Sequence, residues 1–292
     1  MLRSWLKWVW KIGVAATVYT AATLVGGGLL AGLGAPFPEM KGDPNRLLLF
    51  VFLSGLLIAA VAGPAVAKTG FSRIRVCFAV CGMLFLNSVA QMLEAIYFAP
   101  GMISRNTACT LLAQQLLVAF LTGMAMACLF GGGPRSTRWE TKRGRPWYDW
   151  LWRFAAGSGS YVVFYYLFGA LSFALFTGVY YRGRGNGLHV PGPLEILAVE
   201  PVRALLLVAS VSPLILRLQY PLRRRAGTVG LLLFTVGGLV PMLLASGSLP
   251  PGILIPGTVE MFFQNFLTGV TATLFMAGGG RKVRIRPLHS GL

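Results

Sequence analysis

Hydrophobic residues occur in long blocks along this chain, separated by short polar stretches. Each block holds about 20 mostly apolar residues, enough for a helix to cross a hydrocarbon core of ~30 Å. The backbone needs internal hydrogen bonds in lipid, which favours helices, and the alternation typical of a β-barrel is absent. The pattern therefore predicts an all-α bundle with eight spans, at residues 12–34, 46–67, 76–98, 108–130, 150–180, 197–218, 227–246 and 257–278.

Charge is scarce and unevenly placed. Only 12% of the 292 residues are charged, and the net charge is +18. Twenty of the 26 basic residues fall in the N-terminus, the second, fourth and sixth loops, and the C-terminus, or in the span ends beside them. Positive loops stay in the cytoplasm, so both termini are predicted there, in a protein of the plasma (inner) membrane. The same loops would attract anionic lipid headgroups at the cytoplasmic face.

The two halves of the chain resemble each other. Phe-Leu-Thr-Gly occurs in the fourth span at 120–123 and in the eighth at 266–269. Each of these spans runs into three consecutive glycines, at 131–133 and at 278–280. Acid-Pro-x-Arg occurs at 43–46 and at 200–203. We therefore predict two four-helix repeats, 1–133 and 150–280, with a basic linker at 134–149 and a basic tail at 281–292. Four spans per unit would relate the halves by an axis along the membrane normal; chance similarity of Leu/Gly-rich segments is the alternative.

Polar residues inside the spans are the candidate ligand-binding residues, because polar and charged groups in a membrane usually have a partner or a function. Chain direction places them all in the predicted outer half. They are Asn87, Gln91 and Glu94 in the third span, Gln114 and Gln115 in the fourth, Glu200 and Arg203 in the sixth, and Glu260, Gln264 and Asn265 in the eighth. We expect a polar cavity that opens outward, with Glu94 and Glu260 as its acids and Arg203 as their counter-charge.

Simpler roles compete with this prediction. Asn and Gln side chains join membrane helices by hydrogen bonds worth ~0.6 kcal/mol on average. A Glu near a helix end can reach headgroup water. Asp43 before Pro44, and Glu200 before Pro201, both have the order expected at a helix N-terminus. Pro213 and Pro241 predict kinks, the second with local unwinding beside Gly237 and Gly238.

Several classes of function lack support in the sequence. Histidine is absent from every predicted span, since His189 falls in a loop and His289 in the tail. No catalytic residue, metal ligand or cofactor motif is therefore assigned. The basic charge follows the membrane loops, which argues against nucleic-acid binding. The first span follows basic residues like a signal peptide, but its apolar run is longer than the usual 7–15 residues. The cysteines are Cys77, Cys81, Cys109 and Cys128, which favour apolar packing over a metal site.

Three functions remain open. The polar residues and predicted repeats favour binding or transport of a small molecule or ion. A non-catalytic scaffold or partner subunit would use the same residues only for helix packing. An enzyme acting on a lipid-linked substrate would use Glu94 or Glu260 as acid–base and Arg203 to hold an anion. The sequence identifies neither the ligand nor an oligomeric or protein partner.

Overall fold

A computed structural model describes residues 2–37, 43–98, 103–132, 146–182, 192–247 and 249–278. These residues form eight helices and no strand, so the predicted all-α bundle is confirmed. The helices are α1 (Leu2–Gly32), α2 (Pro44–Ala67), α3 (Arg73–Phe98), α4 (Arg105–Phe130), α5 (147–182), α6 (Pro193–Arg217), α7 (222–245) and α8 (Pro251–Ala277).

Six of these helices, α1 to α5 and α7, are long and apolar enough to cross a membrane. The outer faces of the bundle carry large exposed apolar side chains, for example Leu175 at 62% and Val179 at 73% of full exposure. Lipid solvates such a surface and water does not. The chain is therefore a membrane protein. The other two helices, α6 and α8, have 25 and 27 residues and carry five of the predicted site residues.

Every helix begins before the span predicted for it. The largest difference is in α1, which begins at Leu2, whereas its predicted span begins at residue 12. The basic and tryptophan-rich segment at its start is helical as well, and Trp5 and Trp10 are exposed there at 72% and 69%. Hydropathy detects only the part of a helix that is apolar, whereas the helix continues through the headgroup level, where amphipathic aromatic rings are favoured.

Two helices contain a π-helical turn. In α5, Trp147–Ser172 is followed by the π turn Phe173–Thr177 and by Gly178–Arg182. In α7, Leu222–Phe234 is followed by the π turn Thr235–Leu239 and by Val240–Ala245. The turn in α7 lies where the sequence predicted unwinding.

Pro241 leaves one backbone group of α7 without its helical partner. Proline has no N–H, so it cannot donate to the carbonyl of Gly237, four residues earlier. The Nε2 group of Gln91, from α3, donates to that carbonyl instead. A side chain of a neighbouring helix thus satisfies the polar group that the irregular turn leaves open, as lipid-embedded backbone requires.

The halves pack their helices in the same order. In the first half α1 packs on α2 and α4, and α3 packs on α4; in the second half α5 packs on α6 and α8, and α7 packs on α8. The halves meet where α3 packs on α6 and where α2 packs on α7. The predicted duplication and its domain boundaries stay predictions.

Small residues and aromatic pairs occupy matching places in these contacts. Gly123 of α4 meets the α3 backbone at Cys77, and Gly269 of α8 meets the α7 backbone at Gly230. These two glycines end the repeated Phe-Leu-Thr-Gly sequences. Because a Cβ at either position would lie under 3.0 Å from backbone atoms, glycine is needed for the close approach. The aromatic pairs are Trp8–Phe130 between α1 and α4, and Trp152–Phe275 between α5 and α8, with ring centroids 5.5 and 6.0 Å apart.

Some predictions fall outside the described residues. They concern His189, His289, the tail 281–292 and most of the linker 134–149. The side of the membrane on which each loop lies stays a prediction. We refer below to the end of the bundle where α3 ends and α4 begins as the α3–α4 end; it is the end predicted to face outward.

Candidate functional site

Arg203 lies at the centre of a charged cluster in the contact between the two halves. This residue, on α6, is fully buried. Nη1 donates to both carboxylate oxygens of Glu200, at 2.9 and 2.7 Å, and Nε donates to the Ala90 carbonyl of α3 at 3.0 Å. Nη2 donates to the Glu94 carboxylate. Each nitrogen of the guanidinium thus has a partner, as a buried arginine requires.

Glu200 and Tyr161 complete the buried side of this cluster. Glu200 is fully buried, one turn before Arg203 on α6. Tyr161, on α5, is 1% exposed, and the Arg203 guanidinium lies 5.7 Å from its ring centroid. Tyr161 and Glu200 thus lie on the same buried side of the guanidinium. The cation therefore contacts an aromatic ring as well as carboxylates, an arrangement that stabilises a desolvated charge.

Glu94 is the accessible member of the cluster. Its side chain is 21% exposed, whereas that of Arg203 is 2% exposed. It lies one turn from the end of α3, and the α3–α4 end of the bundle is the nearest surface along that helix. A solute that approaches from this end would meet Glu94 before it meets Arg203.

Glu260 lies near the cluster without joining it. Its Oε1 accepts a hydrogen bond of 2.8 Å from Gln264 Nε2, one turn along α8. The same oxygen faces Gly169 of α5, where a Cβ would lie 3.3 Å away. Glu260 interacts electrostatically with Glu94 and with Arg203. Among the described residues it has no salt bridge.

The charges of this region do not balance. Among the described residues, the carboxylates of Glu94 and Glu200 share the Arg203 guanidinium, and a third carboxylate, that of Glu260, lies near them. The salt bridges of the first two are both to Arg203 within the part of the chain that the structure describes. An unbalanced charge in an apolar interior is costly, so such a site takes up a proton or a counter-ion.

A second polar contact joins α3 to α6 at Ser210, two turns after Arg203 along α6. Asn87 Nδ2 donates to Ser210 Oγ of α6 at 2.9 Å and to the Met83 carbonyl at 2.8 Å. Its Oδ1 is buried, has no hydrogen-bond partner in the part of the chain that the structure describes, and faces Gly237, where a Cβ would lie 2.7 Å away. Asn265 of α8 reaches the same turn of α7 from the other side, 3.1 Å from a Cβ built on Gly238. These amides pack around the glycines of the π turn.

The two glutamines of α4 lie away from the charged cluster. Gln114 donates its Nε2 to the Thr23 carbonyl of α1 at 2.8 Å and packs against Gly26 and Gly27. It therefore joins α1 to α4. Gln115, the next residue, lines a cavity together with Gln91. Adjacent residues differ by about 100° around a helix, which separates their surroundings.

The structure thus brings Glu94, Glu200 and Arg203 into direct contact and places Glu260 with Gln264 beside them. It places Asn87, Gln91 and Asn265 around the π turn of α7, and Gln114 in another interface. Glu200 does not cap a helix, because α6 begins at Pro193 and continues through Pro201. That alternative is wrong for Glu200, whereas Asp43 does cap α2.

Sequence reasoning did not select Tyr161. It lies inside an apolar span rich in aromatic residues, where packing is the usual role. One signal was available: Tyr161 and Tyr165 are four apart and share a helix face, and their ring centroids are 6.1 Å apart.

Comparison with protein-family models, with curated proteins and with solved structures found no match to this chain.

Proposed function

We propose that this membrane protein binds a small inorganic cation or a proton at the acidic cluster, by which we mean Glu94, Glu200 and Arg203 together with the neighbouring Glu260, as the ion site of a transporter or binding protein. The observation that carries this proposal is the excess of carboxylates over basic groups among the described residues of this region. In this proposal Glu94 and Glu260 take up the cation, while Glu200 and Arg203 form a fixed pair.

The surroundings of the two acids support this division of roles. Glu200 is fully buried and bonds Arg203 through both oxygens, so its charge is already matched. Glu94 shares the guanidinium with Glu200, and Glu260 has the Gln264 amide as its hydrogen-bond partner among the described residues. Carboxylate oxygens are the ligands that hard cations prefer. The sequence adds direction, because basic loops predict that the α3–α4 end faces out of the cell.

Thermal unfolding in lipid nanodiscs tests the proposal. The protein is compared in LiCl, NaCl, KCl and choline chloride at one ionic strength, and then over a pH series in choline chloride. A ligand that binds only the folded state stabilises it. We expect one small cation, or protons, to raise the Tm of the wild type above its value in choline at neutral pH.

Glu260→Gln is the informative variant, because Glu260 has no salt bridge whose loss would disturb folding. It should lose most of the cation-dependent or proton-dependent rise in Tm. Glu195→Gln is the matched control: Glu195 is an exposed carboxylate at the start of α6 that accepts from Gly192 N–H at 2.8 Å. The proposal fails if the wild type and Glu260→Gln respond alike to every salt and pH.

A scaffold function is the second candidate, and one observation favours it. All three nitrogens of Arg203 already bond to protein groups. In a scaffold the cluster would only lock α3 to α6, and no salt would stabilise the wild type more than Glu260→Gln. The same unfolding series therefore separates the two functions.

A further inference from the structure

A cavity of about 190 Å³ lies between the first half of the bundle and the irregular part of α7. Its walls come from α1, α2, α3, α4 and α7 and are mostly apolar, with Ile58, Leu84, Val118 and Leu244 among them. Val240 and Pro241, which follow the π turn, form part of the wall. The cavity is thus bounded by the one segment of α7 whose backbone hydrogen bonding is irregular.

Polar residues from three helices line this apolar space. Tyr19 of α1 lines the cavity and is only 5% exposed. Its hydroxyl has no hydrogen-bond partner among the described residues, and neither has the side-chain amide of Gln115, from α4. Gln91 of α3 also lines the cavity, but its Nε2 is used by the Gly237 carbonyl. A hydroxyl in an apolar space is destabilising while it has no hydrogen-bond partner, so this arrangement favours an occupant that hydrogen bonds to it.

The lining also limits what the occupant can be. Among the described residues no charged side chain lines the cavity, so a neutral molecule fits it and an ion does not. A protein cavity of about 150 Å³ accepts a benzene molecule. A space of about 190 Å³ therefore holds one six-membered ring with one or two substituents.

We propose that this cavity binds a neutral six-membered ring that carries a hydrogen-bonding oxygen, as a phenol or a quinone head does. The ring packs against the apolar walls, and its oxygen pairs with the Tyr19 hydroxyl and the Gln115 amide. Both groups can donate and accept, so a hydroxyl and a carbonyl oxygen fit equally. This site is separate from the acidic cluster, because neither Glu94 nor Arg203 lines it.

Fluorine NMR with 4-fluorophenol tests this assignment on the full chain in nanodiscs. Fluorobenzene is the probe of matched ring size without the hydroxyl, and protein-free nanodiscs measure partition into lipid. We expect saturable binding of 4-fluorophenol to the wild type, and binding of fluorobenzene at least tenfold weaker. The tenfold difference is about that of one hydrogen bond.

Three variants locate the binding. Tyr19→Phe removes one oxygen atom and should weaken 4-fluorophenol binding about tenfold while leaving fluorobenzene unchanged. Gln115→Leu should act in the same direction, and Val118→Phe should abolish binding of both probes because it fills the cavity. Tyr166→Phe is the matched control, since Tyr166 is 40% exposed and does not line the cavity.

The outcomes are decisive in both directions. Saturable binding that Tyr19→Phe weakens and Tyr166→Phe preserves supports the proposal. If the wild type shows no saturable binding beyond partition, the cavity holds water and the proposal is wrong. It is also wrong if both probes bind equally and Tyr19→Phe changes nothing. Glu260→Gln should bind 4-fluorophenol like the wild type, so failure of the cation proposal would leave this result intact.

Discussion

The order acid, proline, any residue, arginine occurs at 43–46 and again at 200–203. In the first copy Asp43 is exposed, its Oδ1 accepts from the Asn45 N–H at 2.9 Å, and the Arg46 guanidinium lies 5.4 Å from the centroid of the Phe50 ring. In the second copy Glu200 and Arg203 are buried and bond each other. The same residue order thus forms a helix cap in one place and a buried ion pair in the other.

The difference follows from where each helix begins. Pro44 is the first residue of α2, so Asp43 lies beside backbone N–H groups that have no helical acceptor. α6 begins at Pro193, two turns before Glu200, and the N–H groups near Glu200 already have helical acceptors. Glu200 therefore bonds the side chain of Arg203, three residues later, and packing against α3 and α5 removes both side chains from water. The local motif does not determine the role; its distance from the helix start does.

Arg203→Met should have the largest effect of any change in either copy. It leaves Glu200 buried without its counter-charge, and breaking a buried pair in this way costs about 3–5 kcal/mol. Arg46→Met changes an exposed side chain and should stay within about 0.5 kcal/mol. The free energies of unfolding of both variants, measured by SDS titration in mixed micelles with tryptophan fluorescence, check the contrast.

A double variant identifies the cause. Replacing Glu200 by Leu together with Arg203→Met removes both charges, and we expect at least half of the lost stability to return, since an apolar pair can replace a buried ion pair. Asp43→Leu with Arg46→Met should instead show additive effects. If Arg203→Met and Arg46→Met lowered the free energy of unfolding equally, the second copy would not act as a buried ion pair.

Much of the fold could be predicted from the sequence. Eight apolar blocks gave eight helices, because lipid leaves the backbone no other solution than internal hydrogen bonding. The helix ends were missed because basic and tryptophan-rich flanks such as 2–11 are helical without being apolar.

The site was predictable in part. Depth follows from chain direction, so Glu94, Arg203 and Glu260 were expected near one another, and Glu94 does contact Arg203. The rotation of each helix about its axis is set by packing and not by its own sequence. Gln114 therefore faces α1 although its depth resembles that of Gln115, and neither Tyr161 nor Tyr19 stood out among the aromatic residues of its span.

Replacing Asp43 and Glu200 by serine should give the next largest difference in stability between the two copies. Serine is as good an N-cap as aspartate, so Asp43→Ser should change the free energy of unfolding by only a few tenths of a kcal/mol, whereas Asp43→Ala should lose about 1 kcal/mol. Glu200→Ser removes the charged hydrogen bonds to Arg203 Nη1 and should lose about 1.5–3 kcal/mol. The same SDS titration measures all three. Asp43→Ser losing as much as Asp43→Ala would show that Asp43 does not act as a cap.

The two prolines should give the smallest effects, with opposite signs. Pro44 is at the first position of α2, where no N–H is needed. Pro44→Ala therefore mainly raises the conformational entropy of the unfolded chain, and it should lower the free energy of unfolding by about 0.4–1 kcal/mol. Pro201 lies inside α6, where it cannot donate to the Leu197 carbonyl. Pro201→Ala restores that donor and removes the contact of the ring with the preceding turn, so it should raise the free energy of unfolding by up to about 1 kcal/mol.

Unfolding titrations of the two single variants and of the double variant measure the sign of each change in stability and whether the two changes add. A loss of stability in Pro201→Ala would mean that α6 needs the irregularity at this position to bring Glu200 and Arg203 against α3, and the second copy would then differ from the first in its proline as well as in its charges.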